Sequence, residues 1–172
     1  MFLTILDLIL ILILFLFIAF GFALGLIHTI GALVGVVVGS YLAGVLYEPV
    51  GSWLEPFFLG NANTARIVAF IVIFVLINRL VGLVFWLVNK IFHLISIIPF
   101  TKSLNRLLGA LFGFLEGSLV LGLSLYFISR FTISDWFAEV LLASKVAYWL
   151  IKMAAILTPL LPVLLRQLQS VI

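Results

Sequence analysis

From Leu8 to Tyr47 the chain carries no Lys, Arg, Asp or Glu. That apolar run is about twice what one helix needs, since a hydrocarbon core of ~30 Å takes about 20 helical residues. The pattern predicts two spans laid end to end. The break is expected at the one local cluster of turn-tolerant and polar residues, Gly25-Leu26-Ile27-His28-Thr29. The expected spans are residues 5–27 and 29–47, joined as a tight hairpin. Residues 48–64 change character, with Glu48-Pro49, Glu55-Pro56, Gly51, Gly60, Asn61 and Asn63, and read as an extramembrane loop. Trp53, Phe57 and Phe58 in that loop suit the headgroup level.

A third apolar stretch predicts a span over residues 65–88, with Asn63 or Thr64 as N-cap. Lys90, His93, Pro99 and Lys102 mark the following segment, 89–103, as a loop, and a fourth span is expected over 104–128. Beyond Ser134 the period changes. Asp135, Glu139, Lys145 and Lys152 share one arc of a helical wheel, and Trp136, Val140, Ala147, Ile151 and Ala154 the opposite one. This predicts one amphipathic helix over 134–157 in the interface plane, capped by Ser134 and ended by Pro159 and Pro162. A fifth span is the rival, but Lys145 and Lys152 make it costly in lipid. The expected fold is an all-α membrane protein. Four transmembrane helices form two hairpins (residues 1–133), and residues 134–172 hold the amphipathic helix and tail.

Composition agrees with this pattern. Of the 172 residues, 66% are hydrophobic and 9% charged, against about 25% charged in a soluble domain. So few charges cannot clothe a water-facing surface, and the expected partner is the lipid bilayer. The absence of cysteine excludes disulfides and thiolate metal sites. The nine Lys and Arg residues, for a net charge of +3, are scattered and form no nucleic-acid stripe. The first residues, Met1-Phe2-Leu3-Thr4-Ile5-Leu6-Asp7, lack a basic n-region, and the apolar run behind them is too long for a signal peptide. An uncleaved first span is expected. Lys90 and Lys102, with Arg106 at the edge, place the 89–103 loop in the cytoplasm and both termini outside.

Two segments resemble each other. Residues 30–42 read IGALVGVVVGSYL and residues 108–120 read LGALFGFLEGSLV. Gly31, Gly35 and Gly39 align with Gly109, Gly113 and Gly117. Spacing of four puts each trio on one helix face, where missing side chains admit a second backbone. A duplicated two-span unit is one reading, with its copies related by a two-fold axis along the membrane normal. The two ladders would then face each other, or copies in a homo-oligomer. Chance self-similarity of glycine-rich membrane helices is the other.

Ionisable residues inside spans are the candidate chemistry. Arg79 and Glu116 both fall near the midplane, so the economical arrangement is an Arg79–Glu116 pair supported by Asn78. Such a pair either fixes helix register or lines a site. Asp7, near the outer end of the first span, suits a carboxylate at the headgroups or at a positive helix N-terminus. His28 and His93 read as surface residues at the cytoplasmic face. No metal-ligand spacing, phosphate loop or nucleophile elbow is present, so neither a cofactor nor enzymatic activity is expected.

The chain resembles the colicin V production protein (CvpA) family. The resemblance is carried by Asp7 before an apolar span, by Gly21-x-x-x-Gly25, by the Gly31, Gly35, Gly39 span, and most specifically by Leu104-Asn105-Arg106-Leu107-Leu108-Gly109-Ala110-Leu111-Phe112-Gly113-Phe114-Leu115-Glu116-Gly117. That last stretch is similar to the family pattern R-L-L-G-A-x-F-G-x-x-R-G, with Glu116 where members usually show a basic residue. The resemblance implies a bacterial inner-membrane protein associated with toxin production or export and with envelope homeostasis. A scaffold or accessory protein acting with a membrane-protein partner is the function expected first. A small channel or transporter component with a midplane Arg79–Glu116 site is the alternative.

Overall fold

The computed structural model describes residues 4–93, 102–131 and 135–160. Six α-helices account for most of them: α1 (Ile5–Leu24), α2 (Leu26–Leu54), α3 (Ala62–His93), α4 (Lys102–Ser129), α5 (Asp135–Ala143) and α6 (Lys145–Ala154). Short 3-10 turns follow α2 at Glu55–Phe58 and α6 at Ala155–Leu160. The first four helices are each long and apolar enough to cross a membrane. The other two are not, because ten residues rise only about 15 Å. The protein is therefore an all-α, four-span membrane protein with an amphipathic C-terminal segment.

Gly25 alone separates α1 from α2. Its φ of 83° and ψ of 177° break both helices, and its amide still donates to the Gly21 carbonyl at 2.8 Å. The freed amide of Leu26 donates to Asn105 Oδ1 on α4, 3.1 Å away. A side chain on Gly25 would run into that same Asn105. The corner is thus sealed by α4, which wedges between α1 and α2 and holds them apart.

This changes the expected pairing. The close antiparallel pairs are α2 with α3 and α1 with α4, whereas α1 with α2 and α3 with α4 barely touch. The tight hairpin is α2–α3, turned at Glu55–Asn61, and the two glycine ladders do not face each other. Gly31, Gly35 and Gly39 lie against Phe85, Asn78 and Phe74 of α3. Gly109, Gly113 and Gly117 lie against Gly21, Gly25, Phe17 and Leu14 of α1. Both seams descend in the same register. If α1–α2 corresponds to α3–α4, the α2–α3 seam maps onto the α4–α1 seam, and the two weak contacts map onto each other. A duplicated two-span unit with interlocked copies has this contact scheme.

Several boundaries also move. The α3 helix runs on to His93 and α4 starts at Lys102, so both reach into the expected 89–103 loop. The helix α2 continues through Pro49 to Leu54, because Pro49 forfeits one backbone donor while Gly51 packs on Arg66 and Ser52 Oγ donates to the Glu48 carbonyl at 3.0 Å. Asn61, rather than Asn63 or Thr64, caps α3, its Oδ1 accepting the Thr64 amide at 3.0 Å. The expected single helix over 134–157 is broken at Ser144, whose extended backbone (φ −85°, ψ 119°) makes it the N-cap of α6. Ser134 and Pro162, its expected cap and stop, lie outside the described residues.

At the end of the bundle where α1 begins and α2 and α4 finish, an aromatic cluster fills the core. Phe70 stacks on Phe127 at 3.8 Å between ring centroids, and Tyr47 meets Phe127 edge-on at 5.1 Å. The α6 helix closes this end. Its Ala147, Leu150 and Ala154 are buried and its Lys145 and Lys152 exposed, with the Leu150 carbonyl seated over Gly122 of α4.

Candidate functional site

Among the described residues two polar centres lie within the spans, one at the end where α1 begins and one running from the middle of α3 and α4 toward the other end. The first surrounds Asp7, which is buried. One carboxylate oxygen, Oδ2, accepts from the Thr4 amide at 2.8 Å and from Thr4 Oγ1 at 2.9 Å. The Asp7 amide donates back to Thr4 Oγ1 at 3.1 Å, a reciprocal capping box at the start of α1. The other oxygen, Oδ1, accepts from Ser144 Oγ at 2.6 Å and from the Val146 amide at 3.0 Å. Ser144 Oγ in turn accepts the Ala147 amide at 3.0 Å. One carboxylate therefore caps two helices, its own and α6, and its charge faces the positive ends of both. This is where Asp7 goes: it is enclosed rather than reaching for the headgroups.

The second centre is a cleft of about 260 Å³ between α2, α3 and α4. His28 and Ala32 come from α2, Asn78, Arg79 and Gly82 from α3, and Glu116 from α4. The expected trio of Asn78, Arg79 and Glu116 is brought together, but in a different order. Asn78 is buried and lies within hydrogen-bonding reach of the Glu116 carboxylate, while Arg79 acts on that carboxylate through its charge. The Arg79 side chain itself is exposed on the outward face of α3. Two polar atoms here are buried without a partner, Asn78 Oδ1 and His28 Nδ1. His28, expected at the surface, is half-buried in the cleft. His93 is the last residue of α3.

The glycine ladder positions the cleft as well. Gly35 allows Asn78 to press against α2, since a methyl there would come within 2.9 Å of the Asn78 carbonyl. Gly82 does the opposite work: a methyl there would meet nothing within 4 Å, because it would project into the open space.

A family model described as colicin V production protein matches residues 6–155. The chain belongs to that family. No curated protein sequence and no solved structure matches it. In this family member the matched stretch runs from the first turn of α1 to the turn after α6. Asp7, the Ser144 cap and the whole cleft thus lie inside it, and of the two centres only Thr4 falls outside. Residues that sequence reasoning missed are Ser144, Asn105, Gly82 and Trp86. Asn105 was within reach, since it stands in the Leu104–Gly117 motif beside Arg106. Ser144 was not, because a serine inside a continuous amphipathic period carries no sign that the helix stops there.

Proposed function

We propose that this family member is an accessory scaffold of the bacterial inner membrane, serving toxin production or export and envelope homeostasis by docking onto other membrane proteins. One observation carries the reading. The hydroxyls inside the spans do not line up as a path but bond back to their own helices: Thr29 to the Gly25 and Leu26 carbonyls, Ser40 to Val37, Ser118 to Phe114, Ser124 to Val120 and Ser129 to Tyr126. The charged groups of the cleft sit beside the outward face of α3, where Leu80, Leu83 and Val84 are exposed, so the cleft opens sideways. A conduction route needs a string of polar groups from face to face.

In this reading the connection between α3 and α4 lies in the cytoplasm and both termini outside. The test is ion flux into liposomes holding only this protein. Flux at the level of empty liposomes is expected. Selective flux abolished by Glu116→Gln would instead favour a small channel or transporter component built on the cleft. The cysteine-free chain makes topology accessible in the same preparation. A single cysteine introduced at Asn61 should react with an impermeant thiol reagent from outside the cell.

A further inference from the structure

Because α3 and α4 scarcely touch, the cleft is the gap between them, and its open side faces lipid. Exposed residues Val72, Val75, Leu76, Arg79, Leu83 and Trp86 form one stripe along α3. Arg79 stands in the middle of that stripe, about 12 Å inside the end of the apolar segment at Leu87. A guanidinium at that depth facing hydrocarbon is costly unless an anion meets it.

The surroundings of Arg79 describe that anion. On one side is the polar cleft, with the Glu116 carboxylate and the unpartnered Asn78 Oδ1 and His28 Nδ1. On the other is a second hollow of about 410 Å³, walled by Ile71, Val72, Val75 and Leu76, and Arg79 belongs to both. A polar pocket with charges of both signs, continued by an apolar groove toward the opposite leaflet, matches a zwitterion with a hydrocarbon tail. The cleft is too small for a helix, which measures ~10–12 Å across with its side chains.

We propose that the cleft binds an aminophospholipid, its phosphodiester on Arg79, its primary ammonium on Glu116 and one acyl chain along Ile71–Leu76. The lipid enters from the leaflet at the His28 and Trp86 end and sits below the headgroup plane of its neighbours. The ammonium has three donors, which suit Glu116 and the free carbonyl oxygen of Asn78. This inference goes beyond the scaffold reading and does not depend on it, since it concerns what occupies the cleft whatever the protein docks onto.

The test is native mass spectrometry of the full chain in mild detergent, titrated separately with dioleoyl phosphatidylethanolamine, phosphatidylglycerol and phosphatidylcholine. Phosphatidylethanolamine should be retained about tenfold over the other two, the size of one charge-assisted hydrogen bond. Phosphatidylglycerol has no cation, and the trimethylammonium of phosphatidylcholine cannot donate to Glu116. Glu116→Gln should bring phosphatidylethanolamine down to the level of phosphatidylglycerol. Arg79→Gln should lower all three lipids. Gly82→Phe should also lower all three, by filling the cleft at a position where an added methyl meets nothing. Circular dichroism melts in the same detergent show whether each variant is folded, and the Gly82 variant keeps the test decisive if Arg79→Gln unfolds. Soluble phosphoethanolamine should not displace the lipid, because it lacks the tail. Equal retention of all three lipids, a preference that survives Glu116→Gln, or displacement by phosphoethanolamine would each overturn the proposal. So would a second polypeptide occupying the cleft in place of lipid.

Discussion

Asp7 and Glu116 are both carboxylates inside spans of one bundle, and the protein treats them in opposite ways. Asp7 is closed in at the meeting of α1 and α6 and accepts four hydrogen bonds. Glu116 sits half-buried beside one amide and one guanidinium, in a pocket where two further polar atoms lack partners. They stand on the two partners of one seam, Asp7 on α1 and Glu116 on α4, an antiparallel pair closed by the Gly109, Gly113 and Gly117 ladder. What differs is the third element. At Asp7 the α6 helix supplies a hydroxyl and an amide, whereas beside Glu116 the helices α3 and α4 stand apart and none of the described residues fills the space. A saturated buried carboxylate is a fastening, and an unsaturated one in an open cleft is a site.

The largest effect expected from this contrast is at the fastening. Replacing Asp7 by Ala removes the acceptor from the Val146 amide and from Ser144 Oγ, and should cost about 2–4 kcal/mol, on the scale of hydrogen bonds to a charged group. Detergent-denaturation curves followed by circular dichroism would measure it, and limited proteolysis should show new cleavage near Ser144 as α6 detaches. Asp7→Asn, which keeps one acceptor, should lose about half as much. An unchanged unfolding midpoint in both variants would mean that α6 is held by Leu141, Ala147 and Leu150 alone.

The seams come next. An alanine at Gly113 would place its methyl within 2.5 Å of the Phe17 carbonyl oxygen and 3.1 Å of the Gly21 Cα. All of that is backbone, so α1 and α4 must separate, at about 1–3 kcal/mol for an overpacked contact. An alanine at Gly35 meets the movable end of the Asn78 side chain first, which can swing into the cleft, and the Asn78 backbone carbonyl only at 2.9 Å, so α2 and α3 need part less than α1 and α4. Gly113→Ala should therefore lower the melting temperature more than Gly35→Ala, and only Gly35→Ala should change lipid retention. Equal losses in the two would show that the cleft has no slack.

Much of this was legible in the sequence, for a definable reason. Lipid leaves the backbone no partner but itself, so apolar length translates directly into α1–α4, and glycine spacing marked the faces that become seams. The partner of each face was not legible. In water a hydrophobic stripe points to the core, but here lipid and core are equally apolar, and nothing in IGALVGVVVGSYL says whether α3 or α4 will sit on it. The spacing of Asn78, Arg79 and Glu116 along their helices pointed to one neighbourhood, and the three do line one cleft. A sequence gives depth along a helix readily, but the side of the helix only once a partner is known. So Arg79 was expected to meet Glu116 directly, whereas its neighbour Asn78 faces inward and Arg79 outward. Ser144 escaped because its role needs Asp7, 137 residues away in the chain.

The smallest expected effect is the most telling. Glu116→Gln keeps the shape and the polar contact with Asn78 while removing the charge. If Glu116 were a structural counter-ion as indispensable as Asp7, its neutralisation would strand Arg79 and cost several kcal/mol, as breaking a buried pair does. Arg79 instead stands at the open side of the bundle, where in a lipid-free micelle its long side chain can snorkel to detergent headgroups and water, so the loss should stay below about 1 kcal/mol, the range of solvent-screened pairs. The detergent midpoint should move by less than for Asp7→Asn, measured in the same micelles without added phospholipid. Adding phosphatidylethanolamine should then raise the stability of the native chain and leave Glu116→Gln nearly unmoved, since a ligand stabilises only the state that binds it. A large loss in lipid-free micelles would turn the second centre into another fastening and erase the contrast between the two carboxylates.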